Sequence, residues 1–201
     1  RFTNFIRTCI EILSSLPSVV VGLFGYLIFV VQFQYGFSIL SGALALTVFN
    51  LPQMTRNVED GLRNVHHTQR EAGLALGLSR WETVVHVVIP EALPSIVTGI
   101  VLASGRIFGE AAALIYTAGQ SAPALDWGNW NPLSVTSPIS IFRQAETLAV
   151  HIWKVNSEGT IPDATQVSQG SAAVLLVFIL IFNLSARYIG KKLHAKLTSA
   201  K

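Results

Sequence analysis

Two charged residues interrupt a long apolar stretch of the chain and are the first candidates for a binding role. Arg106 and Glu110 lie within residues 93–116, and their spacing of four places them on one face of a helix. Each charge would cost roughly 2.5–3.5 kcal/mol at the centre of a bilayer, so both should face the protein interior or a water-filled path. The Arg106 guanidinium presents a fork of N–H donors that suits a passing oxyanion, and Glu110 would hold or release it. The same spacing also suits a structural ion pair that only fixes helix packing.

The other residues that could bind a ligand or catalyse a reaction suggest at most a binding role. Arg56 follows the second apolar stretch, where it either lines the same path or anchors the chain at the membrane surface. His66, His67 and His86 lack the acid–histidine spacing of a metal site. The sequence has no phosphate-binding glycine loop and no nucleophile–base–acid set. We therefore predict no catalytic residue, no metal site and no cofactor in this chain.

The sequence between the second and third apolar stretches predicts two helices joined by a turn. Strong helix formers run from Glu71 to Leu76, and Gly77 should end that helix in the left-handed conformation. Ser79 can cap the next helix, and Glu82 stands at the third helical position and completes a capping box. The pattern predicts two short helices joined at a turn.

Composition places these elements in a membrane protein. Of 201 residues, 51% are hydrophobic and only 12% are charged, about half the charged share of a soluble domain. Mean hydropathy is +0.51. The net charge of +3 is too small for a nucleic-acid surface, and the single cysteine, Cys9, excludes an internal disulfide.

Four apolar blocks of about 15–25 residues organise the chain, and about 20 helical residues cross a bilayer. Because backbone polar groups in lipid need internal partners, we expect an all-α, polytopic helical bundle. Pro17 and Pro52 should kink or end their helices. The predicted spans are residues 10–31, 37–54, 93–116 and 171–189.

Charge predicts the orientation of these spans. Eleven of the 14 Lys and Arg residues lie before the first block, between the second and third, or at and beyond the end of the fourth. The positive-inside rule then makes loop 55–92 and the C-terminus cytoplasmic and segment 117–170 external. Within that outer segment we expect a short surface helix at 138–150 and a loop at 156–169. The whole chain, 1–201, should form a single transmembrane domain.

The loop sequence resembles the cytoplasmic loop of binding-protein-dependent ABC import permeases. That pattern is E-A-A, three residues, G, nine residues, then I-x-L-P. Glu71, Ala72 and Gly73 fill the triplet, with glycine in place of the last alanine, and Gly77 follows at the right spacing. Val87, Ile89 and Pro90 fill the end of the pattern.

The flanking stretches resemble the PstA-type membrane subunit of the phosphate importer more narrowly. The likeness runs from about Arg1 to Arg187 and includes Gly105-Arg106-Ile107-Phe108-Gly109-Glu110. PstA-type subunits have six spans, so the four visible here correspond to the last four. The resemblance implies a type I ABC importer permease in the inner (plasma) membrane, with multiple spans and a cytoplasmic C-terminus.

By this resemblance the chain translocates inorganic phosphate by alternating access, and the loop docks on an ATPase. The small residues Ala72, Gly73 and Ala75 would form the docking face. The implied coupling residues are Glu71, Ala72, Gly73, Gly77, Arg80 and Pro90, and the implied substrate-path residues are Arg106, Glu110 and Arg56.

The implied partners are a homologous PstC-type permease subunit, a PstB-type ATPase dimer that binds ATP and Mg²⁺, a PstS-type extracytoplasmic phosphate-binding protein, and membrane lipid. An importer for sulfate or molybdate is the nearest alternative. A passive anion channel is a more distant alternative. A membrane enzyme is the least favoured, because the sequence contains no catalytic set of residues.

Overall fold

A computed structural model describes residues 2–158 and 162–199, and every regular element in these ranges is a helix, as predicted. A π-helical segment, Tyr26–Gln32, follows α2, and a second, Val84–Val88, joins α5 to α6. The α-helices are α1 (Phe2–Ser15), α2 (Ser18–Gly25), α3 (Ile39–Arg63), α4 (His67–Ala75), α5 (Arg80–Thr83), α6 (Ile89–Phe108), α7 (Ala112–Ile115), α8 (Leu148–Glu158) and α9 (Ala164–Ser199).

The chain forms two compact units that share three long helices. The first unit contains Arg1–Pro52 and Arg106–Phe178, and the second contains Gln53–Gly105 and Ile179–Lys201. Each unit contains segments from both halves of the sequence, and the single transmembrane domain over residues 1–201 stays a prediction. The two units are described separately below.

Two helices of the described chain are long and apolar enough to cross a membrane: Arg80–Phe108 and Ala164–Lys192. A third span results if the bent pair Phe5–Ser15 and Ser18–Gln32, which meet at 102°, is one crossing. The predicted second block lies in α3, whose C-terminal half is polar at Asn50, Gln53 and Arg56. Four crossings therefore stay a prediction.

The two prolines of the first two blocks behave differently. Pro17 separates α1 from α2, as predicted. Pro52 lies inside α3, so the helix does not end there, and a kink at Pro52 stays a prediction. Its side chain is fully buried, and this packing offsets the hydrogen bond that the ring removes.

Three other boundaries differ from the sequence-based expectation. The third block ends at Phe108 rather than at residue 116, because the chain turns at Gly109 and starts the short α7. The outer helix lies at Leu148–Glu158, and residues 138–147 form turns instead. The fourth helix begins at Ala164, so much of the expected loop 156–169 is helical.

Small residues allow the helices of the first unit to approach closely. A Cβ on Gly22 would lie 2.8 Å from the Cα of Ala113, so α2 and α7 nearly touch through their backbones. A Cβ on Gly42 of α3 would lie 2.8 Å from the Cβ of Ala118. Around these contacts the buried core contains Leu114, Ala118 and Val150.

The outer segment of the first unit caps the start of α3. The amide of Ser38 donates to the carbonyl of Thr117 at 3.1 Å. The amides of Ile39 and Leu40 donate to the carbonyls of Arg143 and Ile141, both at 2.9 Å. The first amides of a helix have no partners within the helix, so these bonds explain why an irregular segment is ordered here.

In the second unit α6 and α9 run antiparallel in close contact. A Cβ on Gly190 would lie 2.5 Å from a methyl carbon of Val97, and one on Gly105 would lie 3.9 Å from the amide of Asn183. One residue number rises as the other falls, which defines the antiparallel register. The buried core of this unit contains Val65, Val88 and Ala92, with Leu62 and Ile96 packed against it.

Candidate functional site

The predicted helical turn exists, and we call residues 67–88 the elbow. It begins with α4, which ends at Ala75, and Gly77 follows with a φ of +83°, as predicted. The amide of Gly77 donates to the carbonyl of Leu74 at 3.0 Å, and that of Leu78 donates to the carbonyl of Gly73 at 3.2 Å. These two bonds are the Schellman pair, which satisfies the last carbonyls of α4.

The second predicted signal, the capping box, is also present. The Glu82 amide donates to Ser79 Oγ at 3.2 Å, and the Ser79 amide donates to Glu82 Oε2 at 2.8 Å. The box starts α5, which continues through the π-helical segment into α6.

Gly73 allows close packing between the two arms of the elbow, which are α4 and the helical path that begins with α5. It is buried, and a Cβ there would lie 2.9 Å from Thr83 Cγ2 and 3.4 Å from Val87 Cγ2. Its departure from alanine in the triplet therefore permits close contact between α4 and the helix that follows. Gly73 was expected in the docking face, but it is buried, whereas Ala72 and Ala75 are exposed.

Of the charged residues of the elbow, Arg70 bonds within the chain, whereas Glu71 and Arg80 are exposed. Arg70 is half-buried and donates from Nη2 to the carbonyl of Leu62 at 2.6 Å, so it ties α4 to the end of α3. Glu71 is exposed, and its carboxylate lies 3.1 Å from His67 Nδ1. Arg80 is exposed and forms no ion pair within the described chain. Pro90 is half-buried at the start of α6.

Apolar side chains on the elbow form a surface that we had not predicted. Leu76 is 83% exposed, Trp81 is 74% exposed and Leu74 is 47% exposed. The sequence contained the signal, since a tryptophan and three leucines within eight residues are unusual in a loop between spans. Beside these residues lies a groove of about 460 Å³, lined by Leu62, Arg70, Leu74, Arg80, Thr83, Val84 and Val88.

The predicted Arg106–Glu110 pair does not form. Since α6 ends at Phe108, the two residues do not share a helical face, and no ion pair joins them in the described chain. The guanidinium carbon of Arg106 lies 4.8 Å from the centroid of the buried Phe49 ring, a cation–π contact. Glu110 Oε1 instead accepts the amide of Ala113 at 3.2 Å and so caps the first turn of α7.

The three predicted path residues are described here unit by unit. Arg106 and Glu110 belong to the first unit, where Arg106 is exposed and Glu110 is half-buried. Arg56 belongs to the second unit and is half-buried in the C-terminal half of α3. Among the described residues no carboxylate pairs with the Arg106 guanidinium, which suits recognition of an anion better than a permanent ion pair would.

A polar cluster in the outer segment escaped sequence reasoning. Glu146 is largely buried, and its carboxylate lies 3.0 Å from His151 Nδ1 and 3.9 Å from Lys154 Nζ. Lys154 also donates to the carbonyl of Gln120 at 2.8 Å. The cluster ties α8 to the segment after α7, so its geometry indicates a structural role.

Comparison with known proteins supports one assignment. A family model, the inner-membrane component of binding-protein-dependent transport systems, matches residues 1–198. A probable ABC transporter permease protein, YqgI of Bacillus subtilis, is 59% identical over 199 residues, which are 99% of this chain and 68% of the relative.

Phosphate transport system permease proteins match at lower identity. PstA 2 of Mycobacterium bovis is 35% identical over 92% of this chain, and PstA of Xylella fastidiosa is 35% identical over 93%. The chain spans 58% of the length of each of these two relatives. No solved structure matches the chain. The chain belongs to the family of inner-membrane components of binding-protein-dependent transport systems.

Proposed function

We propose that this chain is the PstA-type permease subunit of an ATP-driven importer and that inorganic phosphate is its substrate. Membership of the family carries the permease role. The substrate rests on relatives named as phosphate transport permeases and on Arg106, an exposed guanidinium that no carboxylate neutralises within the described chain. The chain itself supplies no ATP-hydrolysing chemistry in this proposal.

Arg106 contacts the passing phosphate. The guanidinium carbon of Arg106 lies 4.8 Å from the centroid of the Phe49 ring, and this contact restricts the side chain while its N–H groups make no ion pair in the described chain. An arginine held by a ring keeps its charge and loses little further side-chain freedom on binding. Glu110 acts at a distance, because its carboxylate caps α7 and so orients the turn that follows Arg106. Arg56 stays a second candidate for the substrate path.

The elbow transmits force from a separate ATPase subunit, which binds ATP and Mg²⁺. Leu74, Leu76 and Trp81 supply exposed apolar area, and Glu71 and Arg80 supply charges of both signs at its border. A buried apolar centre with a polar rim is the usual composition of a protein interface. Gly77 and the Ser79 cap keep the two arms of the elbow at a fixed angle.

In the assembled transporter the chain pairs with a homologous PstC-type permease subunit and receives phosphate from a PstS-type binding protein outside the membrane. Two PstB-type ATPase subunits bind on the cytoplasmic side. Loop 55–92 and the C-terminus are cytoplasmic in this arrangement, and the outer segment faces the binding protein. The positive-inside distribution of lysine and arginine supports this orientation.

The test is ATP-dependent phosphate uptake by the complete transporter in proteoliposomes. We compare the wild type with Arg106→Gln, which removes the charge, and Arg106→Lys, which keeps the charge but loses the fork. We expect uptake to fall at least tenfold in Arg106→Gln, about 1.4 kcal/mol, with a smaller loss in Arg106→Lys. Lys192→Gln, at an exposed lysine of α9, is the matched control and should transport normally.

Three results would contradict parts of the proposal. Normal uptake by Arg106→Gln would remove Arg106 from the path and leave it as a packing residue against Phe49. Uptake of sulfate or molybdate instead of phosphate by the wild type would overturn the substrate and leave the permease role intact. Uptake without ATP would replace the importer with a passive anion channel.

A further inference from the structure

A groove at one end of the second unit has a chemistry that the proposed transport role does not use. It lies between the start of α6 and the later part of α9, where Gly190 lets the two helices touch at Val97. Its volume is about 370 Å³, and its lining is Pro94, Val97, Thr98, Arg187, Gly190 and Lys191.

The charge in this groove is entirely positive. Arg187 and Lys191 are one helical turn apart, so both project from the same face of α9. Neither forms an ion pair in the part of the chain that the structure describes. The Thr98 hydroxyl donates to the carbonyl of Pro94 at 2.8 Å, so it is not free to donate to a ligand. The groove therefore offers two cations and an apolar floor to an anion.

The position of the groove matches the level of lipid headgroups. Arg187 stands at the end of the apolar part of α9, and the candidate span Ala164–Lys192 has an apolar window with none of its residues buried. Leu184 and Ile181 precede Arg187 at helical spacing and are 61% and 59% exposed. One face of the helix thus changes from exposed apolar side chains to two cations within about two turns.

We propose that this groove binds the phosphodiester headgroup of an anionic phospholipid at the cytoplasmic surface of the membrane. The headgroup contacts Arg187 and Lys191, and an acyl chain extends along Leu184 and Ile181. Basic pockets between membrane helices on the cytoplasmic side suit such headgroups. A free phosphate ion would use the two cations but not the exposed apolar face, so the combination favours the lipid.

The test measures the lipid that stays bound to the assembled transporter. The complex is reconstituted in nanodiscs of phosphatidylcholine with a minor fraction of phosphatidylglycerol, and native mass spectrometry counts the retained phosphatidylglycerol. Lys191→Gln and Lys192→Gln form a matched pair, because the two lysines are adjacent and exposed but only Lys191 lines the groove. Lys191→Arg keeps the charge and checks that the site tolerates substitution.

We expect the affinity for phosphatidylglycerol to fall about fivefold in Lys191→Gln, the effect of removing one basic residue near an anionic surface. Arg187→Gln should give a similar loss, whereas Lys192→Gln and Lys191→Arg should stay within twofold of the wild type. Millimolar inorganic phosphate should not displace the lipid.

Equal losses in Lys191→Gln and Lys192→Gln would show diffuse surface charge and overturn the site. Displacement of the lipid by inorganic phosphate would make the free ion the ligand, which also overturns it. Equal retention of phosphatidylcholine and phosphatidylglycerol by the wild type would exclude headgroup recognition. Because these readouts do not involve uptake, they do not depend on the substrate of the transporter.

Discussion

Replacing Gly73 by alanine restores the residue of the permease pattern, yet we expect it to destabilise the elbow. Alanine favours a helix over glycine by up to about 1 kcal/mol. The new Cβ would lie 2.9 Å from Thr83 Cγ2 and 3.3 Å from Thr83 Oγ1. Thr83 cannot turn away without cost, because its hydroxyl donates to the carbonyl of Ser79 at 3.0 Å.

The magnitude follows from the two opposing terms. Overpacking by one methyl typically costs 1–3 kcal/mol, so the net loss should be about 0–2 kcal/mol. Thr83→Ser removes Cγ2 and keeps the hydroxyl, so in that background Gly73→Ala should stabilise the elbow by up to about 1 kcal/mol. The coupling between the two positions is therefore about 1–3 kcal/mol.

Amide hydrogen exchange of residues 67–88 in the assembled transporter measures the free energy of opening of the elbow. Ala72→Gly, at an exposed neighbouring position, calibrates the helix-propensity term without a change in packing. If Gly73→Ala slows exchange equally in the wild-type and Thr83→Ser backgrounds, the two positions are not coupled. The close contact that we describe would then be refuted.

Three further predictions concern individual residues within each unit. Gly77→Ala should destabilise the elbow by about 1–2 kcal/mol, because alanine resists a φ of +83°, and Gly77→Asn should cost less; hydrogen exchange of the elbow measures both. Gly22→Ala should lower the melting temperature of the complex, since its Cβ meets the backbone of Ala113, whereas Gly170→Ala, with nothing within 4 Å, should leave it unchanged or raise it. Glu146→Gln should destabilise the outer segment by about 1–3 kcal/mol, measured as faster exchange of the α8 amides; unchanged exchange would contradict the cluster.

Local rules were enough to predict the elbow. The αL turn at Gly77 and the box between Ser79 and Glu82 depend only on residues within five positions of one another. The break at Pro17 is equally local, since the ring removes a hydrogen bond of its own helix. The apolar blocks likewise predicted the helical class.

Contacts between distant segments account for what sequence reasoning missed. Pro52 lies within α3 and is fully buried, and no local rule predicts which of a kink or a helix end follows from the proline. Arg106 makes a cation–π contact with Phe49, 57 positions earlier. Because α6 ends at Phe108, Glu110 does not share a helical face with Arg106. The inward position of Gly73 depends on Thr83, so a glycine that looked like a weak point of the pattern is a packing requirement.

The five-residue π-helical segment Val84–Val88 has a consequence for insertions and deletions in this loop. It joins α5 to α6 in one continuous helical path, and its hydrogen bonds span five residues instead of the four of an α-helix. One residue corresponds to about 100° of rotation in an α-helix. Deleting a single valine there would change the direction in which Trp81 and Arg80 project relative to α6 by up to about 100°. The orientation of this surface relative to α6 therefore depends on the length of the segment, and not only on the residue types that the segment carries.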